Sequence, residues 1–568
     1  MGTYSANPNR TIISPIFQHP LLRYFLFTSE SYLIESTIKR TFSRLFASGE
    51  RIVPPLRLKT GKGSRKMKEK TQIITKIPPA LTADRIWLWL ILAGLPLAVH
   101  NGYFDITETK TLWFGVFTAV WLLARGVCAV QFSEKPFRFP RDPAALGAVG
   151  LCAAALLASL ASGFFAQSLI GRTGRYQGAL MLWLYALMFL TLPGTDLRPR
   201  DLFAPLLTGM GLAAALTVLN HLGADPLGMS KQLAAMDQGR YISTRGNIDF
   251  AGAYFTLTLP TAARLLLCAE KGSRRIWYGA LSVLGLWAAM AVRSESALLG
   301  LGTAAVLLPF TLKNCPEALR RWGLLPPGIV LAMHIYRLMA VAVGARLSAL
   351  TNLLLHPALS GLLSLFGIGW YLMARRREEE RIPGLLKPYG ALLLVVLTLG
   401  IAALILLNTA LRDLPLGSLE SWLRFSDEWG TDRGKVWKYC LRLYGQFPLP
   451  DKLLGGGCGI LALLDSTRRI FPDAILDTAH CEYLQILLNW GALGLTCYLV
   501  WIGDTLRRAL RSGRDLPLTL AAGALGYAFN ALSNIAQAPG IMLFFVLLAG
   551  IRATAGQEGA KNARSADN

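Results

Sequence analysis

Long apolar runs separated by short polar connections dominate the chain from residue 86 onward. Runs such as "IWLWLILAGLPLAV" and "GALLLVVLTLGIAALILL", with their flanks, approach the roughly 20 residues that a helix needs to span a bilayer. The apolar segments lie near residues 86–101, 112–131, 144–162, 178–193, 202–221, 249–268, 276–292, 296–312, 325–345, 350–373, 389–409, 484–503, 516–532 and 538–552. The pattern predicts an all-α, polytopic integral membrane protein with about 14 transmembrane helices.

The polar connections alternate in charge along the chain. Every second connection is rich in Lys and Arg, from 125–141 to "ARRREEER" and "TLRRALRSGR". The positive-inside rule places these connections, and with them both termini, in the cytoplasm. The remaining connections are then extracytoplasmic, and the long ones among them span 163–177, 222–248 and 410–482. We expect amphipathic helices in the last of these loops, and one of them, from Asp432 onward, is predicted to lie with its apolar face on the outer leaflet.

The charge of the chain is concentrated at its beginning. The net charge is +24, and residues 1–80 hold 14 Lys and Arg against 4 Glu. A cytoplasmic extension held near anionic lipid headgroups explains this better than nucleic-acid binding does. Within it, "SYLIESTIKRTFSRLF" predicts a short interfacial helix. The predicted organisation is an extension (1–80), a first part of the bundle (81–409), a long loop (410–482), final helices (483–553) and a polar cytoplasmic tail (554–568).

Several arginines fall in the loops predicted to be extracytoplasmic, where positive charge is unusual. They are Arg172, Arg175, Arg240, Arg245, Arg293, Arg412, Arg424 and Arg433. A single arginine can reach lipid phosphate or cap a helix, and we favour that role for Arg412 or Arg424. As a group, guanidiniums at one membrane face predict a site for a phosphate or diphosphate, whose oxygens arginine binds in pairs. At bilayer depth, a lipid-linked diphosphate is the natural candidate.

His480 stands out among the six histidines, because it ends the longest loop just before a predicted spanning helix, in "ILDTAHCEYLQILLNWGALGL". A neutral imidazole there would serve as a general base. Asp477 and Glu482 flank it, and either is a candidate to orient the ring. No CxxC or HExxH motif is present, so no metal site is predicted. "LLGGGCG" is not followed by GK[ST], which makes it a turn rather than a nucleotide-binding loop.

Three segments carry a resemblance to a known family. "DRGKVWKYCLRLYGQFPL", "LLGGGCG" and "AHCEYLQ" resemble the Arg-x-x-x-Trp helix, the glycine turn and the His-Asn-x-Tyr-Leu-Gln helix start of the O-antigen ligase and O-antigen polymerase family. "STRGNIDFAGAYF" and "GRTGRYQGAL" resemble further family segments, so that the likeness covers about residues 101–552. Two positions depart from the family pattern: Cys481 replaces the usual Asn, and Glu295 stands where an arginine is common, with Arg293 two residues earlier.

The resemblance implies a glycosyltransferase at the outer face of the plasma (inner) membrane that uses neither cofactor nor metal. The donor would be an oligosaccharide on a polyprenyl diphosphate, and the acceptor a hydroxyl of a glycan or lipid. The implied catalytic residues are His480 and Arg433, and Asp477, Glu482 and Tyr483 would support them. The candidates for diphosphate binding are Arg172, Arg175, Arg245, Arg293 and Asn247.

Two questions stay open at the level of sequence. Polymerase and ligase are not separated by any feature, although the lack of a specialised acceptor domain favours a polymerase. A transporter of an anion or of a lipid-linked glycan is the alternative class, with His334, Arg337 and His356 as the residues that would line its path. No internal repeat typical of such transporters is evident.

Overall fold

The fold is described from a computed structural model, which covers residues 79–131, 141–192, 197–234, 237–472 and 474–555. The predicted interfacial helix of the N-terminal extension and nearly all of the C-terminal tail lie outside these residues.

The described residues are almost entirely helical. In chain order the helices are α1 (Pro79–Trp89), α2 (Leu95–Leu97), α3 (Ile106–Gln131), α4 (Pro143–Ala161), α5 (Phe165–Ile170), α6 (Ala179–Thr191), α7 (Pro199–His221), α8 (Ile248–Cys268), α9 (Gly272–Val292), α10 (Glu295–Thr311), α11 (Pro316–Trp322), α12 (Leu325–Ala342), α13 (Ala349–Leu354), α14 (Pro357–Arg375), α15 (Leu386–Asn408), α16 (Glu420–Leu423), α17 (Trp429–Gln446), α18 (Leu449–Leu454), α19 (Ile460–Arg468), α20 (Glu482–Ser512), α21 (Asp515–Asn530) and α22 (Gly540–Ala555). A π-turn (Leu90–Gly94) joins α1 to α2, and short 3₁₀ turns occupy Ser230–Gln232, Glu379–Leu385 and Gly417–Leu419. The two-residue strands β1 (Tyr241–Ile242) and β2 (Gly246–Asn247) pair antiparallel.

Each of the fourteen predicted apolar segments coincides with a helix. Within the described part of the chain, 10 helical segments are long and apolar enough to cross a membrane, and α6, α10 and α22 are shorter apolar helices. The prediction of an all-α, multi-pass membrane protein is confirmed at that level.

The helices divide into a packed centre and an exposed periphery. Most residues of α8 and α22 are buried, and α8 packs against α9, α10 and α21. In contrast, α15 is the most apolar segment and nearly all of its side chains are exposed. An apolar surface of this length is stable only in contact with a nonaqueous environment, which is what the lipid of a bilayer provides.

Helix α20 is broken near its start, and a glycine-rich turn fills the break. Gly491 has φ 66° and ψ −173°, a conformation that only glycine adopts readily. The N–H groups of Gly456 and Gly457 donate to the carbonyls of Leu488 and Asn489, both at 3.0 Å. The "LLGGGCG" turn therefore satisfies carbonyls that the helix break releases. It is a structural connector between the long loop and α20.

Helix α17 is amphipathic, as predicted, but its apolar face packs against protein. Val436, Cys440 and Leu443 are buried in a cluster with Leu461 of α19 and Leu488 of α20. The expectation that this face lies on the lipid leaflet is wrong, because these residues have protein neighbours. Leu441, on the opposite side, is the exposed one.

Candidate functional site

Four connections that the charge pattern assigns to one side meet at one end of the bundle. They are the turn before α6, the turn before α8, the N-cap of α10 and the end of the long loop before α20. We call this region the His480 end. Asn534, in the connection between α21 and α22, adds a hydrogen bond of 3.0 Å from its amide nitrogen to the Asp249 carbonyl.

A closed turn presents the first two arginines. Gly171 has φ 95°, and a Cβ on Gly178 would lie 2.4 Å from the Gly171 nitrogen, so the two strands of the turn touch backbone to backbone. The N–H groups of Arg175 and Tyr176 both donate to the Arg172 carbonyl, at 2.9 and 3.0 Å. This geometry explains the glycine-flanked arginines of "GRTGRYQG": the glycines allow the closure that holds both side chains on one surface.

The carboxylate of Asp477 forms ion pairs with both arginines of this turn. The Nε and Nη2 atoms of Arg175 donate to its two carboxylate oxygens, both at 3.0 Å, which is a bidentate pair. The Nη1 atom of Arg172 lies 3.7 Å from the same carboxylate. One carboxylate thus faces two guanidiniums, and the cluster keeps an excess of positive charge.

Arg433 belongs to a second cluster. Its Nη1 atom donates to the Gly430 carbonyl at 2.7 Å, and its Nη2 atom lies 3.8 Å from Asp249 of α8. The hydroxyl of Ser294 donates to the other Asp249 oxygen at 2.5 Å. Glu295, the first residue of α10, lies within electrostatic reach of Arg433 and Asp249. This second cluster has one basic group, Arg433, and two acidic groups, Asp249 and Glu295, whereas the first cluster has an excess of positive charge.

His480 lies between the two clusters. Burial lowers the pKa of its imidazole, and Arg433 and Arg175 lower it further, whereas Asp249 and Asp477 act in the opposite direction. The net effect is a pKa below the ordinary value of a histidine, so the ring is neutral at pH 7 and has a free lone pair. It therefore has the protonation state that a general base requires.

Neither carboxylate expected to orient this ring does so. Asp477 is held by Arg175, and Glu482 is buried with hydrogen bonds from the hydroxyls of Tyr498 and Tyr527, the latter at 2.9 Å. No residue in the described part of the chain hydrogen-bonds the imidazole of His480. Tyr483, the third supporting candidate, donates its hydroxyl to the Ala528 carbonyl at 2.7 Å, which is a structural contact.

A pocket opens beside Asp477, between the starts of α6, α20 and α22. Its lining includes Arg172, Arg175, Gln177, Leu182, Cys458, Asp477, Thr478, Glu482, Gln485, Ile486, Asn489, Trp490, Ile535 and Ile541. Three buried donors in this lining have no hydrogen-bond partner: Arg172 Nη1, Gln177 Nε2 and Thr478 Oγ1. An unmet buried donor costs about 1–3 kcal/mol. Three of them around one pocket favour an oxygen-rich ligand.

The glycine-rich turn holds the arginine turn in place. The Cys458 N–H donates to the Ser168 hydroxyl at 2.9 Å, and the Cys458 thiol donates to the Gln177 carbonyl at 3.5 Å. The turn therefore connects the kink of α20 to the segment that carries Arg172 and Arg175. Sequence reasoning identified this turn only as a flexible one.

The structure does not bring the other predicted diphosphate ligands to this pocket. Arg245 is fully buried elsewhere, and Asn247 caps α8 by accepting the Asp249 N–H at 2.8 Å. Arg293 donates to the Gly239 carbonyl at 2.7 Å and is close to His221 instead. The side chain near Arg433 is that of Glu295, two residues later.

Two further groups of residues considered from the sequence lie outside the pocket. Arg424 donates to the carbonyls of Leu407, Leu411 and Leu414, so it caps the end of α15, as favoured from the sequence. His334, Arg337 and His356 lie on the peripheral helices α12 and α14, and Arg337 and His356 are exposed. None of these three lines the pocket described above.

Backbone strain marks the same surface. Six non-glycine residues among those described have positive φ: Tyr176, Ser243, Arg293, Thr431, Asp432 and His480. All of them fall in loops that the charge pattern places on one side. Such conformations cost roughly 1–3 kcal/mol each and concentrate at functional sites. At His480 (φ 49°) and directly before Arg433, the strain lies on the candidate residues themselves.

Sequence reasoning missed Asp249, Gln177 and Thr478. Asp249 gave a weak signal, as an acidic residue in the first turn of a predicted spanning helix, where charge is expensive. Gln177 and Thr478 gave none beyond their position next to named candidates. Comparison with protein-family models and with curated proteins gives no match to this chain.

Proposed function

We propose that the protein is a membrane glycosyltransferase that moves an oligosaccharide from a polyprenyl-diphosphate carrier to a hydroxyl of a glycan or lipid. One observation carries the proposal: a histidine with a lowered pKa lies near Arg175 and Arg433, which belong to two different charged clusters at the end of a helical membrane bundle. The proposed site faces the outside of the plasma (inner) membrane, with both termini in the cytoplasm and about 14 spanning segments. The convergence of four connections predicted to be on one side supports this orientation.

The donor diphosphate would bind at the pocket. Arg172 and Arg175 supply the positive charge, and Gln177 and Thr478 supply neutral donors without protein partners. The C1–O bond of the donor breaks, and the departing diphosphate collects negative charge that guanidiniums already in position stabilise. Because the arginine turn is closed and anchored by Cys458, little reorganisation accompanies the reaction.

His480 would act on the acceptor. The acceptor hydroxyl attacks C1 from the face opposite the diphosphate, and its proton moves to the free nitrogen of the imidazole. A single displacement of this kind inverts the configuration at C1. Arg433 lowers the pKa of His480, and its buried Nε atom, which has no partner, is available to a substrate oxygen. No described observation favours transport over this chemistry.

Mass spectrometry of lipid-linked glycans tests the proposal. We compare wild-type cells with a deletion strain and with strains that carry His480→Ala or Arg433→Ala. The matched controls are His356→Ala and Arg412→Ala, which remove an exposed histidine and an exposed arginine that do not line the pocket. All variants are checked for their amount in the membrane.

The two site variants and the deletion are expected to accumulate lipid-linked glycan, and the controls are not. Accumulated single repeat units indicate a polymerase, and accumulated long lipid-linked chains indicate a ligase. An unchanged lipid-linked pool in the deletion strain contradicts the proposal and favours the transporter.

A further inference from the structure

Helix α8 has a buried arginine near each end, and the two differ in their partners. Arg264, near the C-terminal end, is 2% exposed. Its guanidinium donates to the Thr311 carbonyl at 3.0 Å, to the Asp515 carboxylate at 2.9 Å and to the Thr519 hydroxyl at 2.5 Å. The protein therefore compensates this buried charge with one carboxylate and several oxygen acceptors, as buried charges require.

Arg245, just before α8, has no such compensation. It is 0% exposed, and none of its three guanidinium nitrogens has a hydrogen-bond partner in the described part of the chain. Its guanidinium carbon lies 3.4 Å from the centroid of the Tyr254 ring. A cation–π contact is worth up to about 2 kcal/mol when desolvated, which does not replace the lost hydration of a guanidinium. The Tyr254 hydroxyl lies near the guanidinium, but no described group accepts from its N–H groups in hydrogen-bonding geometry.

A second buried cation lies close by. Lys110 is 0% exposed, and its ammonium donates to the carbonyls of Leu95, Pro96 and Ala98 at 3.1, 3.2 and 2.7 Å. The hydroxyl of Thr244, the neighbour of Arg245, donates to the same Pro96 carbonyl at 2.9 Å. The two cations lie within electrostatic reach of each other. No described carboxylate pairs with either one, so two like charges share an interior of low dielectric constant.

We propose that Arg245, with Lys110 adding positive charge nearby, binds a small inorganic monoanion, with chloride as the probe. The ligand must carry negative charge, because it offsets the Arg245 guanidinium, which has no acceptor among the described residues and lies near a second buried cation. It must be small, because both side chains are enclosed. The anion would join the end of α2 to α3 and to the turn before α8, and so stabilise this junction. The site is separate from the proposed diphosphate pocket, whose lining contains neither residue.

Thermal unfolding of the purified full-length protein in detergent tests this site. Tm is measured in sodium chloride and in sodium gluconate at equal ionic strength. A ligand that binds only the folded state raises Tm in proportion to its occupancy. We expect wild-type Tm to be about 2 °C or more higher in chloride, with saturation as chloride increases.

Two variants separate a specific site from a general salt effect. Arg245→Met is expected to lose the difference between chloride and gluconate. Arg264→Met, the matched buried arginine, is expected to unfold at lower temperature but to keep the difference. Equal Tm of the wild type in the two salts, or an undiminished chloride effect in Arg245→Met, overturns the proposal.

A measurement on the wild type alone covers the case in which Arg245→Met does not fold. Crystals grown in sodium bromide are examined for anomalous scattering. A bromide peak within contact distance of the Arg245 guanidinium supports the site. An ordered structure without a bromide peak there overturns it.

Discussion

Helix α20 has an arginine–aspartate cluster at each end, and the two clusters are built differently. At the end of α20, Asp142 and Asp504 accept hydrogen bonds from Arg507, Arg508 and Arg552 at 2.5 to 3.1 Å. Both carboxylates also accept backbone N–H groups at the start of α4. At the start of α20, two of the three arginine–aspartate contacts are 3.7 and 3.8 Å long.

The same residue types therefore do two different things. In the group of Asp142, Asp504, Arg507, Arg508 and Arg552, here called the Asp504 cluster, every guanidinium donates to a carboxylate, and these bonds join α4, α20 and α22. At the His480 end, Arg172 and Arg433 each keep a buried nitrogen without a described partner, the backbone is strained, and the imidazole of His480 lies near Arg175 and Arg433. The comparison indicates that an arginine is a candidate for function where it lines a pocket or lies near a candidate base, and not merely where its position along the chain is unusual.

The largest expected effect is a loss of transfer activity, rather than of stability, in a variant of the His480 end. Arg175→Ala should reduce transfer by about 100-fold or more, because under the proposed function it removes a guanidinium that would stabilise the departing diphosphate. Transfer is measured with purified protein and a lipid-diphosphate glycan. A loss of transfer no greater than that of Arg412→Ala would show that the arginine turn is structural.

A second variant tests whether the break in α20 supports the site. In Gly491→Ala, the new Cβ would lie 2.3 Å from the Leu453 carbonyl oxygen, and the backbone conformation is unfavourable for alanine. We expect a loss of about 3 kcal/mol in stability, read as a lower Tm. Gly503→Ala, in the same helix and in open space, should change stability by less than about 1 kcal/mol and toward stabilisation. Equal Tm values for the two variants would contradict the role of the break.

A substitution in the Asp504 cluster should lower stability and leave transfer nearly unchanged, which is the opposite of what we expect for a substitution at the His480 end. Arg552→Ala removes both hydrogen bonds to Asp142 and should lower stability by about 1–3 kcal/mol. Transfer per folded molecule should stay within about twofold of wild type. A Tm equal to that of wild type, or a large loss of specific activity, would remove the distinction between the two clusters.

The smallest expected effect concerns pH. His480 must be neutral to act as a base, and burial followed by Arg433 and Arg175 holds its pKa below the ordinary value of 6.5. Transfer should therefore persist below pH 6.5 and fall as the pH drops through the lowered pKa. In Arg433→Gln one depressing charge is gone, so the acid limb of the remaining activity should move to higher pH. An acid limb that does not move would show that Arg433 does not lower the pKa of His480.

The same shift has a consequence for stability. Because the unfolded histidine binds its proton more tightly than the folded one, the free energy of unfolding falls as the pH is lowered from about 6.5 toward the folded pKa. The contribution of His480 is fully present above pH 6.5. His480→Ala should weaken this pH dependence, which is measured by denaturation in detergent at several pH values.

Much of the fold could be predicted, because the apolar composition of a short segment is enough to indicate a membrane-spanning helix. Apolar runs of spanning length identified every described helical segment that is long and apolar enough to cross a membrane, since a spanning segment in lipid must be apolar. Arg175, Arg433, Asp477 and His480 were named as candidates, because charged residues beside spanning segments are rare and therefore noticeable. The partners of these residues were harder to assign.

Only the tertiary structure decided which candidates act together. Arg172 and Arg245 look alike in the sequence, since both are arginines in glycine-containing turns before apolar helices. One lines a pocket with Asp477, and the other is enclosed against Tyr254. Asp477 is close to His480 in the sequence and Asp249 is distant from it, yet each aspartate lies beside an arginine from another part of the chain. Sequence by itself determined the helices and suggested the proposed chemistry, because both inferences depend on residue composition over short distances. The site depends on contacts between residues up to 302 positions apart, and these are settled by how helices pack.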